Sequence, residues 1–331
     1  MAGAAVRPRR RARFASALWA AALAAAVLVC AGSPGPGAGS GDLVAPRLDP
    51  VDVLVFAPHP DDEVIGAGGV IQQALAAGRR VRIVFATNGD GYPRAASALF
   101  RKDLMALRHD DYDRLGAARQ REAVAADGAL GLGPRSLVFL GYPDGVLADV
   151  YAGADGAPVK SPTTGRTSTY GPALTDFHTL SHGRPAPYTS AAALADVEQV
   201  LRESEPALVY VSDGADEHPD HRATYDLVRD AVAATGYTGE LLTYLVHGGQ
   251  EWPWPEGPTP GLPFEVHTTR GDGHPAGVAW PPSLRVPITA GENAVKLRAI
   301  SAHLSQWEVD GPYLESFVKS EEIFWSVPAT R

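Results

Sequence analysis

Short apolar runs alternate with longer amphipathic stretches from residue 51 onward, and this alternation constrains the fold more than any other feature of the sequence. The runs are rich in Val, Leu, Ile, Phe and Tyr, and they cover residues 51–57, 81–86, 137–140, 207–211 and 241–246. Because they lack the polar alternation of a half-exposed strand, we interpret them as strands buried on both faces. The amphipathic stretches predict helices over residues 64–77, 114–130, 191–203, 222–234 and 292–304. Strands and helices in alternation predict an α/β fold built on a doubly wound, mostly parallel sheet with right-handed crossovers.

Two long segments interrupt this alternation, at residues 152–190 and 248–282, and both are rich in Gly and Pro. Irregular segments of this length inside a compact domain are usually binding loops or lids, and disordered decoration is the alternative. A chain of 331 residues is within the range of one large α/β domain. We therefore interpret residues 51–331 as a single Rossmann-like domain with long loop insertions.

The first 33 residues have the three-part pattern of a secretory signal peptide. Five arginines and no acidic residue precede an apolar run over residues 14–31, and small side chains follow at Ala31 and Ser33. We expect cleavage near Ser33, a flexible Pro/Gly-rich linker over residues 34–50, and a secreted, extracytoplasmic protein. An uncleaved N-terminal membrane anchor is the alternative, because a slightly longer run would span a bilayer. Membrane contact is expected only in that case.

The charge and the cysteine content exclude several classes of function. The formal net charge is −9, and removal of residues 1–33 would take away five further positive charges. Nucleic acids and anionic membranes are bound mainly through Lys and Arg, so neither is an expected partner. The only cysteine, Cys30, lies in the predicted signal peptide. Any metal in the remaining chain must therefore be held by His, Asp or Glu.

Two similar strings of His, Pro and Asp follow two of the predicted strands. The first is Pro-His-Pro-Asp-Asp-Glu over residues 58–63, and the second is Asp-Glu-His-Pro-Asp-His over residues 216–221. The carboxyl ends of parallel strands form the ligand-binding edge of such a sheet, so the strings are expected to face one another across a crevice. His59, Asp62 and one histidine of the second string would then hold Zn²⁺, with Fe²⁺ as an alternative, and leave one position open for water. Helix capping would explain one of the acids but not the whole pattern.

Together with softer matches elsewhere, the two strings resemble the PIG-L or LmbE-like family of zinc-dependent N-deacetylases. The softer matches are residues 87–90, Arg119, Glu122, residues 142–145, Lys296 and residues 303–306. The resemblance covers most of the chain from about residue 51. It implies an enzyme that removes the N-acetyl group from an amino-sugar-containing substrate by hydrolysis.

The resemblance also implies a role for each matching residue. The metal ligands would be His59, Asp62 and His221. Asp61 would be the general base that takes a proton from water, whose pKa zinc lowers towards about 7. Protonated His218 would polarise the amide oxygen or protonate the leaving nitrogen, with Asp220 tuning its charge.

Arg119 and Asp144 match positions that line the sugar site in relatives, so the resemblance implies that they bind substrate hydroxyls. A helix salt bridge for Arg119 and a turn in Pro-Asp-Gly for Asp144 are the alternatives. His178 and His182 are four residues apart and would form a second metal pair only on a helix. The surrounding Pro and Gly argue against that helix, so neither residue is placed in the site.

One departure from the family pattern concerns the substrate. Asp216 stands where mycothiol-type enzymes tend to have an aromatic residue, and an exported protein would not meet a cytoplasmic precursor. An envelope glycan, another extracellular glycan or an N-acylated metabolite is therefore expected. Two other functions stay open: a zinc amidase acting on a non-sugar N-acyl compound, and a metal-holding carbohydrate-binding protein without turnover. Asp61 argues against the second of these, because a binding module needs no base.

Overall fold

The computed structural model describes residues 48–153, 156–249, 252–265 and 275–328. The predicted signal peptide and the predicted linker up to residue 47 lie outside these described residues. Among the described residues, no helix has both the length and the apolar character that a membrane crossing requires.

Seven strands of the described chain form one sheet. They are β1 (Val53–Ala57), β2 (Val81–Thr87), β3 (Leu137–Tyr142), β4 (Leu208–Ser212), β5 (Glu240–Tyr244), β6 (Leu284–Pro287) and β7 (Glu321–Ser326). Their order is β3-β2-β1-β4-β5-β7-β6. The first five strands pair in parallel, whereas β7 is antiparallel to β5 and β6 is antiparallel to β7. The structure confirms the predicted α/β fold with a mostly parallel sheet, and the antiparallel edge is an addition to it.

The helices of the described chain cover both faces of this sheet. They are α1 (Asp62–Ala76), α2 (Pro93–Phe100), α3 (His109–Leu130), α4 (Leu147–Ala152), α5 (Phe177–His182), α6 (Ser190–Ser204), α7 (Pro219–Thr235), α8 (Ala290–Ala302) and α9 (Leu304–Glu315). The five predicted helices correspond to α1, α3, α6, α7 and α8. Sequence reasoning did not predict α2, α4, α5 or α9.

Strand β1 shows why the apolar runs carry no polar alternation. Val53 and Val55 pack in a core with residues of α1, α3 and α8, whereas Leu54 and Phe56 pack in a second core with residues of α4, α6 and α7. Side chains that alternate along a strand point to opposite faces, so a strand covered on both faces has to be apolar throughout.

The first insertion contains a helix that sequence reasoning argued against, and that expectation was wrong. The Asp176 carboxylate accepts a hydrogen bond from the Thr179 amide at 2.8 Å and caps the start of α5. Gly183 ends the helix with a φ of 71°, a left-handed conformation that favours glycine. The Pro and Gly residues therefore flank the helix and do not interrupt it.

The described parts of both insertions pack against the body of the domain. In the first, the Arg166 guanidinium bonds to Asp113 on α3 at 2.8 Å, and the Tyr170 hydroxyl donates to Asp90. In the second, Trp252 and Phe264 are buried in the core and stack with ring centroids 5.2 Å apart. Both insertions contribute to the core, as ordered loops do.

A buried ion pair fixes the far end of the chain to α1. The Glu322 carboxylate accepts hydrogen bonds from the amides of Gly69 and Val70, and Lys296 Nζ lies 2.6 Å from it. Lys296 Nζ also donates to the Ile65 carbonyl at 2.8 Å. Lys296, one of the softer family matches, thus connects α8, β7 and α1. Helix α1 carries the predicted metal ligand Asp62.

Candidate metal and catalytic site

The two His-Pro-Asp strings lie at the carboxyl ends of β1 and β4, the two neighbouring strands at which the chain reverses its direction of travel across the sheet. In open α/β sheets, this reversal leaves a crevice in which ligands bind. The structure brings the two strings together there, although more than 150 residues separate His59 from His221 in sequence.

Three atoms of the predicted metal ligands form a nearly equilateral triangle. His59 Nδ1 and His221 Nε2 each lie 3.2 Å from Asp62 Oδ2, and the two nitrogens lie 3.3 Å from each other. Ligand atoms about 2.0–2.1 Å from a tetrahedral zinc ion lie about 3.3 Å apart, so the spacing fits such an ion. All three residues are buried.

Carboxylates behind the two histidines hold their rings in place. His221 Nδ1 lies 3.1 Å from Asp216 Oδ2. His59 Nε2 makes a hydrogen bond to Asp220 Oδ2 at 3.4 Å and also lies 3.2 Å from Asp144 Oδ1. A carboxylate on the far nitrogen of a ligating histidine fixes the ring orientation and the tautomer.

Asp216 is a site residue that sequence reasoning did not place. Besides His221, its carboxylate accepts hydrogen bonds from the amides of His218, Val246 and His247. Burial alone would raise the pKa of Asp216, but the neighbouring His221 and His247 hold it well below its usual value. The departure from the family pattern at this position was the available signal, and it marks a residue that contacts the predicted ligand His221.

Asp61, the predicted base, adopts an unusual backbone conformation. It occupies the N-cap position of α1 with a φ of 143°, and its side chain makes no capping hydrogen bond. Backbone strain of this kind persists where the surrounding structure holds it, often at functional sites. Burial raises the pKa of Asp61 to about 7, against the lowering effect of the Arg119 guanidinium. A carboxyl group with such a pKa can take and return a proton near neutral pH.

Arg119 is positioned to hold Asp61. One guanidinium nitrogen lies 3.2 Å from Asp61 Oδ2 and donates to the Pro60 carbonyl at 2.8 Å, and another donates to the Gly89 carbonyl at 3.0 Å. A side chain at Gly89, whose φ is 63°, would place its Cβ 2.1 Å from Arg119 Nη1. Arg119 lines the cavity described below. Most of its N–H groups bond to other groups of the protein and are not available to a substrate hydroxyl.

His218 lies beside His59, with the two ring centroids 4.8 Å apart. It caps α7, and its Nδ1 accepts the Asp220 amide proton at 3.2 Å, which leaves the ring proton on Nε2. Burial and the positive charges of the neighbouring histidines lower the pKa of His218 to about 3. The role predicted for protonated His218 stays a prediction.

The Asp220 carboxylate bonds to the chain segment after β3 and to His59, and its predicted effect on the charge of His218 stays a prediction. It accepts the amides of Gly145 and Leu147 at 2.6 and 3.0 Å and contacts His59. Asp220 thus lies beside the predicted metal ligand His59.

A cavity of about 300 Å³ opens onto these groups. Asp144 lines it with one carboxylate oxygen near His59, while its other oxygen accepts the Gly91 amide at 2.6 Å. Further cavity residues were not predicted from the sequence: Tyr92, His247, Gln306, Asp310 and Tyr313. His178 and His182 do not line the cavity.

The chain is similar in sequence to one known family and to several named relatives. The PIG-L family model, described as GlcNAc-PI de-N-acetylase, matches residues 54–232, which is more than half of the chain. A 1D-myo-inositol 2-acetamido-2-deoxy-alpha-D-glucopyranoside deacetylase from Acidothermus cellulolyticus is 26% identical, over 79% of this chain and 81% of its own length. The protein of the same name from Nakamurella multipartita is 31% identical, over 55% of each chain, so the match spans about half of that relative.

Solved structures share the fold at low sequence identity. The A40926 pseudoaglycone deacetylase Dbv21 is 19% identical with a TM-score of 0.52, over 86% of this chain and 100% of its own. GalB, the 4-carboxy-2-hydroxymuconate hydratase from Pseudomonas putida KT2440, is 18% identical with a TM-score of 0.50, over 85% of this chain and 98% of its own. Because one is a deacetylase and the other a hydratase, the fold alone does not select the reaction.

Proposed function

The chain belongs to the PIG-L family, and from this premise we propose that it is a zinc-dependent N-deacetylase that hydrolyses the acetamide of an amino-sugar-containing substrate. The observation that carries the proposal is the triangle of ligand atoms on His59, Asp62 and His221, with the Asp61 carboxyl beside it. The relatives named as deacetylases of an acetamido sugar support the same reaction.

The donor set decides which metals fit. Two imidazoles and one carboxylate suit Zn²⁺ and also Fe²⁺, and we propose Zn²⁺. A bound zinc ion supplies Lewis-acid polarisation and lowers the pKa of the water in its open position. His59, Asp62 and His221 would hold the ion, and Asp216 and Asp220 would keep the two imidazole rings oriented.

Asp61 carries the proton transfers in this proposal. It takes a proton from the attacking water as the water oxygen bonds to the amide carbon. It then gives that proton to the leaving nitrogen as the C–N bond breaks, and acetate and the free amine result. Its pKa of about 7 suits both transfers, and Arg119 keeps the carboxylate in position.

His218 stabilises the negative charge that develops on the amide oxygen. Its Nδ1 is occupied by the Asp220 amide, so only the Nε2 proton is available to the substrate. A fixed donor at the developing oxyanion is typically worth about 10²–10³-fold in rate. The geometry therefore favours a role as hydrogen-bond donor over the role of acid for the leaving nitrogen.

The cavity suits one sugar-sized group with hydroxyl substituents. At about 300 Å³ it lies at the lower end of the range for ligand pockets. Asp144 and Asp310 offer carboxylate oxygens to hydroxyl groups, and Tyr92, whose hydroxyl donates to Asp310 at 2.5 Å, lies beside them. Ile65 and Leu314 form an apolar wall. We propose that the acetamido sugar enters this cavity and that the rest of the substrate stays outside.

Amine release from a panel of N-acetyl compounds tests this function. Zinc-loaded protein should release amine from N-acetylglucosamine glycosides or chito-oligosaccharides, whereas Asp61→Asn with the same zinc content should not. Release from N-acetyl amino acids alone would replace the sugar deacetylase by a zinc amidase. A zinc-loaded protein that binds sugars and releases nothing would be a carbohydrate-binding protein.

Export is a separate proposal, and it rests on residues 1–33 alone. We propose cleavage close to Ser33 and a secreted protein. Mass spectrometry of the protein from its native host should find an N-terminus between Gly32 and Gly41. An intact N-terminus in the membrane fraction would favour the anchor, and soluble uncleaved protein in the cytoplasm would refute export.

A further inference from the structure

A second group of metal-binding side chains lies away from the cavity, between α5 and α6. His178 and His182 are one helical turn apart on α5 in the sequence His-Thr-Leu-Ser-His, and their ring centroids are 4.4 Å apart. Asp196 and Gln199 face them from α6. Two histidines at positions i and i+4 of a helix are the spacing with which helices bind zinc.

Hydrogen bonds already hold the side chains of this group close together. His178 Nδ1 lies 2.7 Å from Asp196 Oδ1, and His182 Nε2 lies 3.0 Å from Gln199 Oε1. The two histidines and Asp196 each offer one ligand atom, and the three atoms lie within 4.8 Å of one another. His182 is exposed, so rotation of its ring can close this spread around an ion.

The aspartate of the group is held in place before any ion binds. Asp196 is 1% exposed, and its second oxygen accepts the Tyr142 hydroxyl at 2.7 Å. His178 is partly buried and His182 is exposed, so an ion has access from solvent on the His182 side. One carboxylate and two imidazoles are also the donor set of the candidate catalytic site.

We propose that His178, His182 and Asp196 bind a second Zn²⁺, with Gln199 as a further oxygen ligand, and that this ion fastens α5 to α6. Tyr142, the partner of Asp196, ends β3, and Asp144 lines the cavity two residues later. The ion therefore braces the first insertion against the end of the strand that leads into the cavity. This site is independent of the proposed deacetylase activity.

Zinc binding to untagged protein tests the proposal without reference to turnover. Equilibrium dialysis over increasing zinc concentration, followed by elemental analysis, should show two binding steps per chain in the wild type. His182→Ala should weaken the second step at least tenfold and leave the first unchanged. His109→Ala, which removes an exposed histidine on α3, is the matched control and should keep both steps.

A second variant, His178→Gln, covers the case in which one histidine alone retains the ion. The proposal is overturned if the wild type saturates at one zinc per chain. It is also overturned if both His182→Ala and His178→Gln keep a second step of wild-type affinity. Failure of the catalytic proposal would appear instead as absent turnover with the first step intact, so the two results are distinguishable.

Discussion

The turn that follows β1 and the turn that follows β4 share the order His-Pro-Asp, but the helices behind them begin at different points of that order. Helix α1 begins at Asp62, so Asp61 is the N-cap residue. Helix α7 begins at Pro219, so His218 is the N-cap residue. Relative to the shared pattern, the second helix starts two positions earlier.

This offset gives equivalent residues different surroundings. The third residue of the first turn, Asp61, lines the cavity from outside its helix, whereas its counterpart Asp220 is fully buried in the first turn of α7. The first residue is a candidate metal ligand, His59, in one turn and the N-cap residue, His218, whose ring accepts the Asp220 amide proton, in the other. Of the equivalent pairs, only the fourth residues, Asp62 and His221, both face the candidate metal position. Two similar motifs can therefore carry unlike roles when the start of the helix differs.

The largest expected effect distinguishes His221, the fourth residue of the second turn, from His218, its first residue. His221→Ala should abolish zinc binding and turnover. It should also destabilise the fold by up to about 3–5 kcal/mol, because the buried carboxylates of Asp62 and Asp216 would each lose one of their histidine partners. His218→Ala should keep zinc and lose about 10²–10³-fold in kcat. Elemental analysis, denaturant unfolding and amine release measure these effects, and equal zinc loss in both variants would contradict the distinction.

The next largest effect distinguishes Asp61 from Asp220, the third residues of the two turns. Asp61→Asn should lower kcat by about 10²–10⁴-fold at full zinc occupancy, because it removes the base. Asp220→Asn should weaken zinc binding by about 10–100-fold, because it loosens the orientation of His59. Zinc titration measures the affinity for zinc, and the rate at saturating substrate gives kcat. Together they show which of the two each variant loses. A zinc defect in Asp61→Asn without a turnover defect would reverse the roles.

A smaller effect concerns Arg119, which contacts Asp61 in the first turn. Its charge lowers the pKa of Asp61, so Arg119→Met should move the acid limb of the pH–rate profile to higher pH. Arg114→Met changes an exposed arginine on the same helix and serves as the control. An unmoved acid limb in Arg119→Met would show that Asp61 does not set it.

The smallest effect is the pH dependence of the metal-free protein. Burial acts to lower the pKa of His221, but Asp62 and Asp216 outweigh it and raise the pKa to about 9, above the usual 6.5. The stability that this ion pairing contributes is fully present below about pH 6.5 and is lost as the pH rises through about 9. Melting temperatures of metal-free wild type and His221→Gln should therefore converge over that range. Zinc displaces the same proton, so zinc affinity should rise with pH up to about 9.

Much of the fold and the centre of the site could be predicted because both depend on local patterns. Strands covered on both faces leave uninterrupted apolar runs, and the crevice between β1 and β4 follows from the sheet topology. The start of each helix could not be read from the motif: α1 begins at Asp62 and α7 at Pro219, whereas the predicted starts were residues 64 and 222. Helix α5 had readable signals in its Asp176 cap and its Gly183 end.

Four residues that line the cavity could not be predicted from the sequence, for a physical reason. Tyr92 precedes a short helix, His247 opens the second insertion, and Asp310 and Tyr313 lie on α9. Helix α9 contains Pro312 and a non-helical residue at Asp310, so its apolar pattern has no regular period. These residues meet at the cavity only through the tertiary packing of α2 and α9.

Metal removal and restoration tests the central claim most directly. Chelation should abolish acetate release from an N-acetylglucosamine glycoside, and the first equivalent of zinc per chain should restore it in the wild type but not in Asp61→Asn. Restoration by that first equivalent would place the chemistry at His59, Asp62 and His221. Turnover that survives complete chelation, or that returns in Asp61→Asn, would contradict the account.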